Sequence, residues 1–341
     1  MIKVTLLYFS GRENFSWDYY FQNYTKKLIS LFVENKNGIN LSKHDEKLGF
    51  SGFLVEFSYP ESQWVAEYNL PDKFYICDGS APNLEESKHI ALELIKGFTE
   101  SPELRERVIQ DINQMTSQSE QFDADDGHLP DEKNPDEKNK ESPYLQAAEK
   151  TSHDTDDKHI VTTDFLSRKK GRVHPVQAGP YNPAFWNDTS VMLRNNCYAY
   201  ACNLATGSFP QPGRKAGVYY SCRQSSVMDA ARADGLIDLD RYPFKEANLH
   251  KPNYVVALVT TPDAPDGNCL LSLWDYHWYR LVLGDSKDGR TPQLWAHKPG
   301  HNDVRNKDNE GHTIYDLCRA KHGIYTKFAG YFIVNNQVSI R

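Results

Sequence analysis

Two periods of apolar and polar residues alternate along this chain, and where they change they mark its elements. Residues 2–9 are apolar and β-branched almost without a break and stop at Ser10-Gly11, the pattern of a buried strand that ends in a turn. Trp17, Tyr20, Phe21, Tyr24, Leu28, Leu31 and Phe32 then recur at helical spacing, which predicts one amphipathic helix with an aromatic face. Residues 50–57 read as a strand with Gly52 as a bulge, and 73–77 as a shorter strand. Leu84, Ala91, Leu94, Ile95 and Phe98 predict a second helix. Leu104, Val108, Ile112 and Met115 predict a third, with Ser101-Pro102 at its start, where the missing proline N–H costs nothing. Together these make a small α+β domain over residues 1–115, in which the stretch from Ser10 to Asn14 reads first as a strand-to-helix connection and second as a ligand loop. No cluster of titratable residues in it implies chemistry, so its expected role is to bind, recruit or inhibit a protein partner.

Both periods vanish over residues 116–158. This stretch holds 13 acidic residues against 5 lysines, and it nearly repeats itself in Asp131-Glu132-Lys133-Asn134 and Asp136-Glu137-Lys138-Asn139. Too little apolar surface is present to offset the entropy of ordering, so a disordered acidic linker is expected. The linker also explains the net charge of −7, because the rest of the chain is close to neutral. No basic stripe is present to hold nucleic acid, and no polybasic amphipathic segment to hold a membrane surface.

Periodicity returns in residues 159–341. Helical patterns come first, from Cys197 and again over 225–234 with Gly235 as its cap. Strand patterns follow at 254–260, 271–283, 292–298 and 330–339, broken by turn residues. Helices followed by a meander argue for an α+β domain, with helices packed on an antiparallel sheet.

The chemistry concentrates in this second half. In Asn195-Asn196-Cys197-Tyr198 an asparagine stands where a helix N-cap belongs, which places Cys197 in a first helical turn. Backbone N–H groups there favour an anion, and a thiolate is one, so a lowered thiol pKa is expected. In the strand 271–283, alternation puts Asp275 and His277 on a face with leucines, where each needs a partner. A hairpin centred on Lys287 would set His277 directly opposite His297. Thiol, imidazole and orienting imidazole are the parts of acyl transfer: Cys197 as nucleophile, His277 as base, His297 holding its tautomer, with Asp275 as a rival orienter. Asn195, Asn196 or the Cys197 N–H could hold an oxyanion.

This order and setting resemble the papain-like cysteine peptidases, and within them the NlpC/P60-type amidases. The runs Tyr181-Asn182-Pro183, Asn195-Asn196-Cys197-Tyr198, Gln211-Pro212-Gly213, Asp275-Tyr276-His277-Trp278-Tyr279-Arg280 and His297-Lys298-Pro299-Gly300 also resemble a group of largely uncharacterised bacterial and phage proteins. The resemblance covers about residues 173–318 and implies a papain-like fold with Cys197, His277 and His297 as catalytic residues acting on a peptide or protein. The chain departs from NlpC/P60 in lacking an Asp before the nucleophile. A deamidase or transglutaminase would use the same three residues, and a non-catalytic interaction module would use none of them. No cofactor or metal is expected: Pro299-Gly300 breaks any helical pairing of His297 with His301. Six scattered cysteines without a CxxC pair, no signal-peptide pattern and no long apolar run lead to the expectation of a cytoplasmic protein with reduced thiols.

Overall fold

A computed structural model describes residues 1–20, 22–41, 48–58, 67–78, 81–116, 160–162, 175–241, 253–264, 273–284 and 293–341. The acidic linker falls outside them, Thr116 excepted. The chain divides into two compact units: Met1–Phe9, Glu13–Asp131 and Leu270–Leu273 form the first, and Ser10–Arg12, Glu132–Cys269 and Trp274–Arg341 the second. Both are α+β, as the alternation of periods implied.

In the first unit, β1 (Ile2–Leu6) is flanked by β2 (Ser16–Tyr19) and β4 (Phe53–Phe57). The sheet continues through β5 (Lys73–Ile76) to the short β3 (Ile39–Asn40), every pairing antiparallel. Helices α1 (Gln22–Glu34), α2 (Leu84–Leu94) and α3 (Pro102–Gln114) complete it. The caps follow the sequence: Ser101 accepts from Leu104 N, and Asn83 from Glu85 N and Glu86 N. One element differs. The aromatic pattern from Trp17 reads as helix, but Ser16–Tyr19 is a strand whose residues pair from Thr5 back to Ile2. Trp17 and Tyr19 alternate with polar Ser16 and Asp18, a period-two signal hidden inside the longer helical one, and Trp17 packs edge-on against Phe53. Gly52, expected as a bulge within a strand, stands just before β4 at φ +100.

In the second unit the sheet order is β11-β10-β9-β12-β8. Its strands are β8 (Ile237–Asp238), β9 (Tyr254–Thr260), β10 (Tyr276–Leu283), β11 (Gln293–His297) and β12 (Lys327–Val334). Two further strands, β6 (Ile160–Thr162) and β7 (Pro175–Gln177), pair with each other, and β7 joins β9 in parallel at Gln177. Four helices precede the sheet's main strands: α4 (Pro183–Trp186), α5 (Thr189–Met192), α6 (Cys197–Cys202) and α7 (Gln224–Ala233). The sheet face carrying Tyr276, Trp278 and Val282 packs against α6. The alternate residues His277 and Tyr279 meet His297 and Tyr325 instead. β10 begins at Tyr276, later than the expected 271, and Leu271 lies outside the described residues.

Candidate active site

Helix α6 starts because Asn196, extended at φ −106, accepts the Ala199 N–H at 3.1 Å. It stops after six residues at Asn203, which adopts the left-handed conformation. All six are buried: Tyr198 packs on Trp278, and the Arg280 guanidinium lies 3.9 Å over the Tyr200 ring. Cys197 thus sits in the first turn, fully buried. Its thiol does not follow the expectation of a lowered pKa. Burial pushes it far upward and the charge of Asp275 adds to this, while the backbone N–H groups of Trp278 and Tyr198 pull the other way. So short a helix has a weak field, and loss of water outweighs it.

The two histidines meet by a different register from the one expected. Tyr279, not His277, pairs with His297. A slip of two residues keeps both histidines on one face, so their rings meet diagonally, 4.9 Å between centroids and nearly perpendicular. His277 Nε2 and His297 Nδ1 are 2.7 Å apart. His297 Nε2 lies 2.8 Å from the Lys307 carbonyl, which can only accept, so that nitrogen carries the hydrogen. Arg305 Nε approaches the same nitrogen at the longer distance of 3.3 Å. His297 Nδ1 is therefore the acceptor, His277 donates from Nε2, and His277 Nδ1 is left as an acceptor. Ser10 Oγ fills that place at 2.8 Å. With both ring nitrogens engaged, none is free for the Cys197 sulfur. Burial holds both imidazoles well below the usual histidine pKa, and each is further depressed by positive neighbours.

The chain of contacts runs on. Ser10 Oγ is 2.7 Å from Tyr325 Oη, which is 2.6 Å from Asp275 Oδ2. Burial raises the Asp275 pKa, while the Tyr325 hydroxyl, the Arg12 charge and the backbone N–H groups pull it down. Asp275 thus makes no bond to His277; the orienting partner is His297. The Asp275 carboxyl instead accepts three successive backbone N–H groups: Ser10 at 2.8 Å, Gly11 at 3.3 Å and Arg12 at 3.0 Å.

The Gly11 carbonyl is held by three side chains, one of them from Asn196, the residue before Cys197. Asn196 Nδ2 donates at 2.7 Å, Gln211 Nε2 at 3.0 Å and Tyr276 Oη at 3.1 Å. Asn196 was a candidate for holding an oxyanion and lies here; Asn195 instead donates to Val191 O. In sequence, Ser10, Gly11 and Arg12 read as a connection rather than a ligand loop, and Gln211, Tyr276 and Tyr325 carry no catalytic role there. The turn at Ser10-Gly11 and the Gln211-Pro212-Gly213 run were the available signals; Gln211 is buried and also accepts from Tyr220 Oη. His301 stacks on Phe209 and bonds the Leu193 carbonyl. Among the described residues no group of three or more His, Cys, Asp or Glu could hold a metal ion. Cys77, Cys197, Cys202 and Cys318 keep thiols outside any disulfide, but Cys222 is disulfide-bonded, which departs from the expectation of reduced thiols. Cys269 lies outside the described residues. No helix among the described residues is long and apolar enough to cross a membrane.

No family model matches the chain, and no solved structure matches it. It is 34% identical over 161 residues to insoluble matrix shell protein 1 of Ruditapes philippinarum, a match spanning 47% of this chain and 93% of that protein. By that identity across nearly the whole of the shorter protein, the chain belongs to the family of insoluble matrix shell protein 1.

Proposed function

We propose that the second unit is a cysteine-dependent amide hydrolase acting on peptides, with Cys197 as nucleophile, His277 as base and His297 as its positioning residue. One observation supports this reading: an imidazole oriented by a second imidazole, its Nδ1 left as an acceptor, on the strand against which the Cys197 helix packs. The Trp278 N–H that bears on the sulfur belongs to the residue after His277. In the reaction the Cys197 thiol would pass its proton to His277 Nδ1 and form a bond to the substrate carbonyl carbon. The negative charge would go to the carbonyl oxygen, held by Asn196, Gln211 and Tyr276. Collapse would break the C–N bond as His277 returns the proton to the leaving amine, and water would then release the thioester. Ser10 must leave His277 for this cycle to begin.

A second reading is favoured by the relative's name: a non-catalytic component of an insoluble extracellular matrix. The disulfide at Cys222 suits an oxidising compartment under either reading. The first unit then serves to bind a protein partner.

The test is to incubate the full chain with a degenerate peptide mixture and read products by mass spectrometry. Cleavage lost in both Cys197→Ala and His277→Ala supports the hydrolase. Cleavage that survives Cys197→Ala, or none in any condition that displaces Ser10 from His277, leaves the matrix reading.

A further inference from the structure

The groups around residues 10–12 read main chain rather than side chain. Three donors saturate one carbonyl, and a buried carboxyl takes three consecutive N–H groups. Without an occupant, the Asp275 carboxyl would keep only the Tyr325 hydroxyl while fully buried, at the cost of an unmet polar group. The central position admits glycine alone. A Cβ built on Gly11 would stand 2.7 Å from the Tyr276 ring carbons and closer still to its backbone oxygen, atoms that cannot swing aside. The third residue has its own anchor, since Arg12 Nη1 donates to the Trp274 carbonyl at 3.2 Å.

We infer that the second unit carries a binding site for glycine-centred peptides of the Ser-Gly-Arg type, and that residues 10–12 of the chain occupy it as an internal ligand. The carbonyl that a substrate presents to Cys197 is then a glycine carbonyl. This names the substrate class of the proposed hydrolase and to that extent rests on it. Its test reads binding, so the two fail separately.

The experiment uses the full chain and a fluorescein-labelled peptide of residues 8–14, Tyr-Phe-Ser-Gly-Arg-Glu-Asn, with a control carrying alanine for glycine. The wild-type site is filled, so its anisotropy should change little with either peptide. In Gly11→Ala the internal segment is expelled. That variant should bind the glycine peptide at least tenfold more tightly than the control, and the bound peptide should slow iodoacetamide labelling of Cys197, read thiol by thiol. A folded Gly11→Ala chain that binds neither peptide, or both alike, overturns the inference. Should circular dichroism show that this variant does not fold, the Ser10→Ala/Arg12→Ala chain takes its place. It loosens the segment while keeping the glycine, and the same tenfold preference is required of it. Selective binding without cleavage overturns the hydrolase alone; cleavage indifferent to glycine overturns this inference alone.

Discussion

Acid should unfold the second unit through its buried histidine pair. His277 and His297 are fully buried, and burial holds both well below the ordinary imidazole value of about 6.5 that an unfolded chain would show. Below pH 6.5 the unfolded chain therefore binds protons that the native pair refuses. Stability rises with pH through this window and is lost as pH falls. A ring that stays neutral throughout contributes about 2 kcal/mol to the difference between pH 7.5 and pH 5.0, so the pair contributes about 4 kcal/mol. That is a large part of the 5–15 kcal/mol that is typical of a whole domain. Asp275 and Asp234 oppose it, because their pKa values are raised and their share of stability is lost as pH rises. The assay is urea unfolding at several pH values followed by tryptophan fluorescence, since Trp186, Trp274, Trp278 and Trp295 are all buried in this unit. His297→Gln should remove about half of the slope. A stability that is flat or rises toward pH 5.0, or a slope unchanged in His297→Gln, would refute the neutral, proton-refusing pair.

Three further outcomes are expected. Asn196→Ala should cost about 1 kcal/mol for the lost helix cap, and more for the Gly11 and Pro210 carbonyls it leaves behind, read as a lower urea midpoint. Gly213→Ala should destabilise by about 1–3 kcal/mol, because φ is +77 and an added Cβ would stand 2.9 Å from that of Ala230; a thermal melt checks it. Reducing the Cys222 disulfide should cost about 2–4 kcal/mol, and an unchanged melting temperature in dithiothreitol would contradict a structural role.

Local patterns settled the elements whose signals are local. Ser101 before Pro102, and Asn196 before Cys197, each cap a helix where the sequence places one, because a cap needs only its next three residues. The α+β character and the strand over Tyr254–Thr260 follow from periodicity in the same way. The two histidines share a face because alternation survives a two-residue slip, although Tyr279 takes the paired position. Trp17 misled because two periods overlap there, and pairing with β1 decided between them. What only the tertiary structure decided is the meeting of parts remote in sequence. Ser10 lies against His277, 267 residues away, and Gly11 against Asn196, 185 residues away. No pattern of spacing encodes such contacts. The thiol shows the same division, since its place at a helix start is written locally, while its high pKa comes from the removal of water by groups that the fold gathers around it.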